Sequence, residues 1–131
     1  MTTAGRTAPG DTNLASGLDA TALLGTWYAT DQHTPGVTEL RLALADGVLT
    51  VSAAGADEPQ PREWGETPAT AFGADPSANT AMAFSAEYDF GFLRIMLAAY
   101  AKQGILVLDT FTSFRDDSGR AAYFTREFFH R

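Results

Sequence analysis

Glu39 and Arg41 stand two apart in the run VTELRLAL, Arg94 lies between Phe92 and Met96, and Asp109 lies between Val107 and Phe111. A charge set among large apolar neighbours must either face water or find a partner, because an isolated buried charge costs several kcal/mol. Arg94 and Asp109 lie on consecutive apolar runs joined by a short turn, so the two can pair across strands. Turned inward, such a pair is a polar anchor in an apolar cavity, with Arg94 or Arg41 offering forked donors to a carboxylate or enolate oxygen. Turned outward, it is an exposed ion pair. Tyr100 closes the alternate face that begins Phe92, Arg94, Met96. Strict alternation puts Trp64, Glu66 and Thr70 on one face, directly after a proline-rich loop that can serve as a lid. Glu39, Arg41, Trp64, Glu66, Arg94, Tyr100 and Asp109 are therefore the candidate ligand contacts.

Other chemistry has thin support. The 131 residues include no cysteine and two histidines, His33 in a loop and His130. A thiolate nucleophile and a thiolate zinc site are excluded. A three-ligand metal site would need both histidines and a carboxylate such as Asp31. Asp31 and His33 can act as an acid–base pair, or Asp31 can cap a turn before Pro35-Gly36. There is no Gly-x-Ser-x-Gly, phosphate-binding loop or dinucleotide fingerprint, and no cofactor is expected.

The elements that position these residues follow period two. Residues 24–30, 37–44, 48–53, 64–72, 79–88, 92–100, 105–114 and 120–129 form eight candidate strands with short connections. Asp46-Gly47 between two alternating runs marks a hairpin, and Pro68 places its strand at an edge or a bulge. Residues 92–100 also fit helical spacing at Leu93, Met96, Leu97 and Tyr100, but the flanking Gly91 and Gly104 favour a strand. Eight antiparallel strands left as an open sheet would expose two edges. Closure removes them, so the predicted fold is all-β, an eight-stranded antiparallel up-and-down barrel. Connections 31–36, 54–63, 89–91 and 115–119 share the end taken as the mouth. Residues 1–20 are a tail or lead-in, with a flexible first dozen and a short helix over 12–24, and residues 21–131 are the single barrel domain.

Apolar residues make up 45 % of the chain and charged ones 19 %, so a packed core is expected. The formal charge of −7 argues against nucleic acid or anionic lipid as partner. Neither a secretory signal nor a run of about 20 apolar residues is present, and the expected location is cytoplasmic. Strand 92–100 is apolar on both faces, so either the N-terminal segment or a second copy in a homodimer covers its outer side.

Gly25-Thr26-Trp27-Tyr28 on the first barrel strand, with Arg126 on the last, resembles the calycin superfamily of lipocalins, fatty-acid-binding proteins and avidins. The resemblance implies an indole packed at the closed end against a basic residue of the last strand. Trp27 and Arg126 match those positions and take a structural role. The lipocalin disulfide, the signal peptide and the tryptophan-rich strands of avidins are absent. The expected function is a barrel that binds a small apolar or amphipathic molecule, neutral or anionic, in its lumen. The alternative is a cofactor-independent cyclase or isomerase of natural-product biosynthesis, with Glu39, Arg94 or Asp109 as acid–base groups. A purely structural or dimerising module is a third reading.

Overall fold

Asp46 and Gly47 both take positive φ, 53° and 78°, as a two-residue hairpin turn requires. They join β4 (Val37–Ala45) to β5 (Val48–Gly55). The computed structural model describes residues 14–56 and 62–131, and the tail expected over the first dozen residues lies outside them. A second tight turn at Gln103-Gly104 joins β8 (Leu93–Lys102) to β9 (Ile105–Phe114). The remaining barrel strands are β3 (Gly25–Ala29), β6 (Glu63–Phe72), β7 (Ala83–Asp89) and β10 (Tyr123–His130). The eight strands from β3 to β10 form a closed antiparallel barrel in sequence order, with β10 returning to β3. The eight strands read from alternation are all present, and residues 92–100 are extended rather than helical.

Closure is uneven. The β8–β9 ladder runs from Leu93 opposite Phe114 to Lys102 opposite Ile105. β10 meets β3 only where Phe129 faces Ala29 and His130 faces Tyr28, with one further bond from Thr30 N–H to the Phe128 carbonyl at 2.8 Å.

The expected helix over 12–24 does not form in its described part. Leu14–Ala15 (β1) and Leu18–Asp19 (β2) make a small hairpin through Ser16 and Gly17, both at positive φ. Tertiary partners account for the change. The Asp19 N–H donates to the Asn79 carbonyl at 2.9 Å, and the Asp19 carbonyl accepts from Ala81 N–H at 2.8 Å. Ala15, Ala20 and Leu23 are buried as this segment plugs one end of the barrel. The same bonds use 79–81, so β7 starts at Ala83 rather than at 79. The mouth connections lie at the other end.

Two bulges shape that end. Val37 faces Gly55 and Glu39 faces Ala54, which leaves Thr38 as an extra residue in β4. Ala53 faces Gly65 while Ala54 faces Glu63, so Trp64 is the extra residue in β6, followed by Gly65 at φ +85°. A bulge reverses the parity of everything beyond it. Trp64 therefore turns inward and is buried, whereas Glu66 and Thr70 are exposed. The single face expected for Trp64, Glu66 and Thr70 is corrected accordingly.

Pro68 lies within the closed sheet, not at an edge. It pairs with Thr50 of β5, but the ladder to β7 begins only at Ala69. The Glu87 carbonyl, deprived of a proline N–H, accepts from the Thr67 hydroxyl at 3.1 Å. Inside the barrel, Trp27, Leu40, Leu42, Leu49, Phe84, Leu93, Ile95, Leu97, Leu106, Leu108 and Phe129 are almost wholly buried. Each such side chain contributes about 1.5–3 kcal/mol of hydrophobic stabilisation.

Candidate functional site

Alternation along β10 sends Tyr123, Thr125, Glu127 and Phe129 to the inner side and Phe124, Arg126 and Phe128 to the outer. Before Phe128, β10 has no partner in β3, and the loop at 30–36 runs alongside it instead. Between that loop and β10 is a cleft of about 820 Å³. Ala29, Pro35, Ile105 and Phe128 supply apolar walls, and Thr34, Thr125, Asp31, Glu127 and Arg126 supply polar groups.

Glu127 is the chemical centre of this cleft. Its carboxylate accepts from Val37 N–H at 3.2 Å, a contact that joins the last strand to the start of β4. Gly36 makes the approach feasible: a methyl group there would come within 2.7 Å of the Glu127 Oε1. Burial raises the Glu127 pKa above its ordinary value; the Val37 N–H works against that, and the negative charge of Asp31 adds to it. Asp31 itself accepts from the His33 N–H at 2.9 Å and so caps its loop. Thr34 is buried, and its hydroxyl accepts from Gly36 N–H at 3.1 Å. A half-buried carboxyl with a raised pKa can accept a hydrogen bond or exchange a proton.

The candidates expected in the lumen are distributed otherwise. Glu39 and Arg41 form an ion pair with each other at 3.1 Å. Arg94 stands opposite Ser113, not Asp109, and pairs with Glu87 of β7. Asp109 stands opposite Ala98 and Arg126, and takes two bonds from the Arg126 guanidinium at 2.7 and 2.9 Å. The expected Arg94–Asp109 pair is thus replaced by two others, because register fixes who faces whom. These charges are on the outer side, with Arg94, Arg126 and Arg41 all exposed. Glu66 accepts from the Thr50 hydroxyl at 3.2 Å, also outside, and Tyr100 is exposed. Hydrogen bonds from arginine hold the Asp109 and Glu87 carboxyls below the ordinary carboxylate range.

Of the seven, Trp64 alone points inward. Its ring meets Tyr88 edge-on at 5.3 Å and Phe90 at 6.2 Å. The Tyr88 hydroxyl lies 2.8 Å from the Gly65 carbonyl and 3.1 Å from that of Val51, and burial pushes its pKa up to about 12. The Trp64 indole N–H and the Thr110 hydroxyl are buried with no partner among the described residues.

At the plugged end, the indole N–H of Trp27 donates to the Leu23 carbonyl at 2.9 Å. The cation over its ring is Arg131, 4.2 Å from the ring centroid, and not Arg126. Arg131 also donates to the Leu24 carbonyl at 2.7 Å and the Ala22 carbonyl at 3.3 Å. Arg126 lies five residues earlier on the opposite side of the wall, where parity and Asp109 hold it.

Glu127 and Arg131 escaped the sequence reading, and only Glu127 left a signal. Alternation in YFTREFF places it with Thr125 and Phe129, a lone acid in an inward row. Among the described residues, no three His, Asp or Glu side chains gather as metal ligands. No family model, curated protein or solved structure matches this chain.

Proposed function

We propose that the protein binds one small, largely apolar molecule in the cleft between β10 and the loop at 30–36. Glu127 meets the ligand's polar end. The observation that carries this reading is the half-buried carboxyl of Glu127 facing a cleft of about 820 Å³, within the usual range for small-molecule sites. Leucine and aromatic side chains point into the barrel, and the reading places the ligand in the cleft at the β3–β10 seam rather than on the axis. Arg41, Arg94 and Arg126 are each engaged by a carboxylate. Glu127 and Asp31 instead favour a hydrogen-bond donor, an amine or a hydroxyl, over an anion. The Trp27–Arg131 stack beside the plugged end supports a calycin-like ancestry for the barrel.

Thermal-shift and amide NMR titrations with matched alkylamines, alcohols and carboxylic acids test the proposal. Amines and alcohols should raise Tm and move the amides of Ala29, Thr34 and Thr125, and Thr125→Trp should abolish both effects by filling the cleft. A panel without any shift at these amides refutes it.

The raised pKa of Glu127 favours a second reading, proton transfer to a bound substrate in a cofactor-independent isomerisation or cyclisation. In that case a bound ligand acquires deuterium from heavy water with the natural chain and not with Glu127→Gln. Unlabelled ligand in both would leave binding alone.

A further inference from the structure

Register lays out the outer face of β8, β9 and β10 in rows. Met96, Phe111 and Phe124 form one row, and Tyr100, Val107 and Phe128 another. Between them stand Asp109 and Arg126, joined by their two hydrogen bonds. Phe111, Phe124 and Phe128 are 45 %, 51 % and 51 % exposed, and Tyr100 is 39 % exposed. Four aromatic side chains of about 150–250 Å² each, about half uncovered, leave on the order of 400 Å² of apolar surface, comparable to the largest patch on a typical monomer, which is often functional.

The central charges say what fits there. An acid and a base side by side make the face self-complementary under one rotation. A twofold axis parallel to the strands, between β9 and β10, lays Asp109 of one copy over Arg126 of the second. The same rotation lays Phe111 over Phe124 and Val107 over Phe128. An axis running across the strands would stack Asp109 on Asp109 and Arg126 on Arg126, and like charges in contact are costly. We infer that this face is the interface of a symmetric homodimer, packed sheet on sheet with strands aligned. The four charges then form a closed ring, each carboxylate between two guanidinium groups, inside an apolar border.

Sedimentation of the full chain tests the pairing. The natural sequence should be dimeric in the micromolar range, and Phe124→Asp should weaken association by at least about tenfold, as loss of a central aromatic does. Arg126→Asp should separate the copies, and Asp109→Arg added to it should reunite them, with circular dichroism confirming the fold of each. The chain has no cysteine, so geometry can be read directly from single-cysteine variants. Phe111→Cys mixed with Phe124→Cys should give the mixed disulfide in preference to either like-with-like product. A monomer at these concentrations, a dimer indifferent to Phe124→Asp, or a preference for like-with-like disulfides overturns the inference.

Discussion

Two residues show how position in the fold decides the effect of a charge. Glu127 has a folded-state pKa raised above its ordinary 4.5 by burial. The folded state therefore holds the proton more tightly than the unfolded one. The stability this group contributes is complete below about 4.5 and is lost as pH rises through the folded pKa. Glu127→Gln should accordingly be more stable than the natural chain at neutral pH, with the difference closing toward pH 4. Urea melts at both pH values check this, and a variant weaker at neutral pH than at acid would contradict it. The arginines give the second contrast. Arg131→Ala removes a cation over the Trp27 ring and two bonds to backbone carbonyls, and should cost about 1–2 kcal/mol. Arg126→Ala removes an exposed, solvent-screened ion pair and should destabilise the folded monomer less than Arg131→Ala does. Chemical denaturation of the dissociated chain orders the two, and the reverse order would return the closing role to Arg126.

At the scale of the element, the bulge in β6 matters most. Gly65 at φ +85° lets one extra residue enter the strand, and that residue is Trp64. A Cβ at Gly65 meets no atom within 4 Å, so Gly65→Ala is penalised by backbone conformation alone, by about 1 kcal/mol. A loss near zero in urea melts would show that the bulge tolerates a side chain. This bulge also explains what alternation could and could not reveal. Hairpins, strand number and the apolar inner face of β8 were all legible, because Asp-Gly turns and period two are local signals. The sides taken by Trp64, Glu66 and Thr70 were not, since one inserted residue inverts parity without changing composition. Arg94 and Asp109 failed as a pair for a related reason. They lie on adjacent strands and on one face, but register separates them, and register depends on where a turn begins. The cleft arises from β3 ending early, a length that no motif in the residues announces.

For the whole molecule, the outer surface divides into two kinds of wall. The outer side of β4, β5 and β6 carries Glu39, Arg41, Thr50 and Glu66, bonded among themselves. The outer side of β8, β9 and β10 carries rings around the Asp109–Arg126 pair, with Arg94 of β8 bonded to Glu87 at its margin. The outer side of 92–100, expected to lie under the N-terminal segment or a second copy, is exposed at Met96 and Tyr100, and the inferred dimer would give it an occupant.

The β3–β10 junction sets the order in which the barrel can assemble. It joins residues 28–30 to 128–130 through few bonds, while every other neighbouring pair of strands is local in sequence. Loop closure over such a span is entropically slow, so hairpins form first and the ring shuts last. In the native state the same junction should open first, and the amides at 29–30 should exchange with solvent well ahead of those in the β8–β9 ladder. A circular permutant linked from Arg131 to Leu14, which keeps the buried plug, and cut at Gln103-Gly104 would make that closure local in sequence. It should refold faster than the natural chain, with the slow step moved to β8 and β9; equal refolding rates would place the barrier elsewhere.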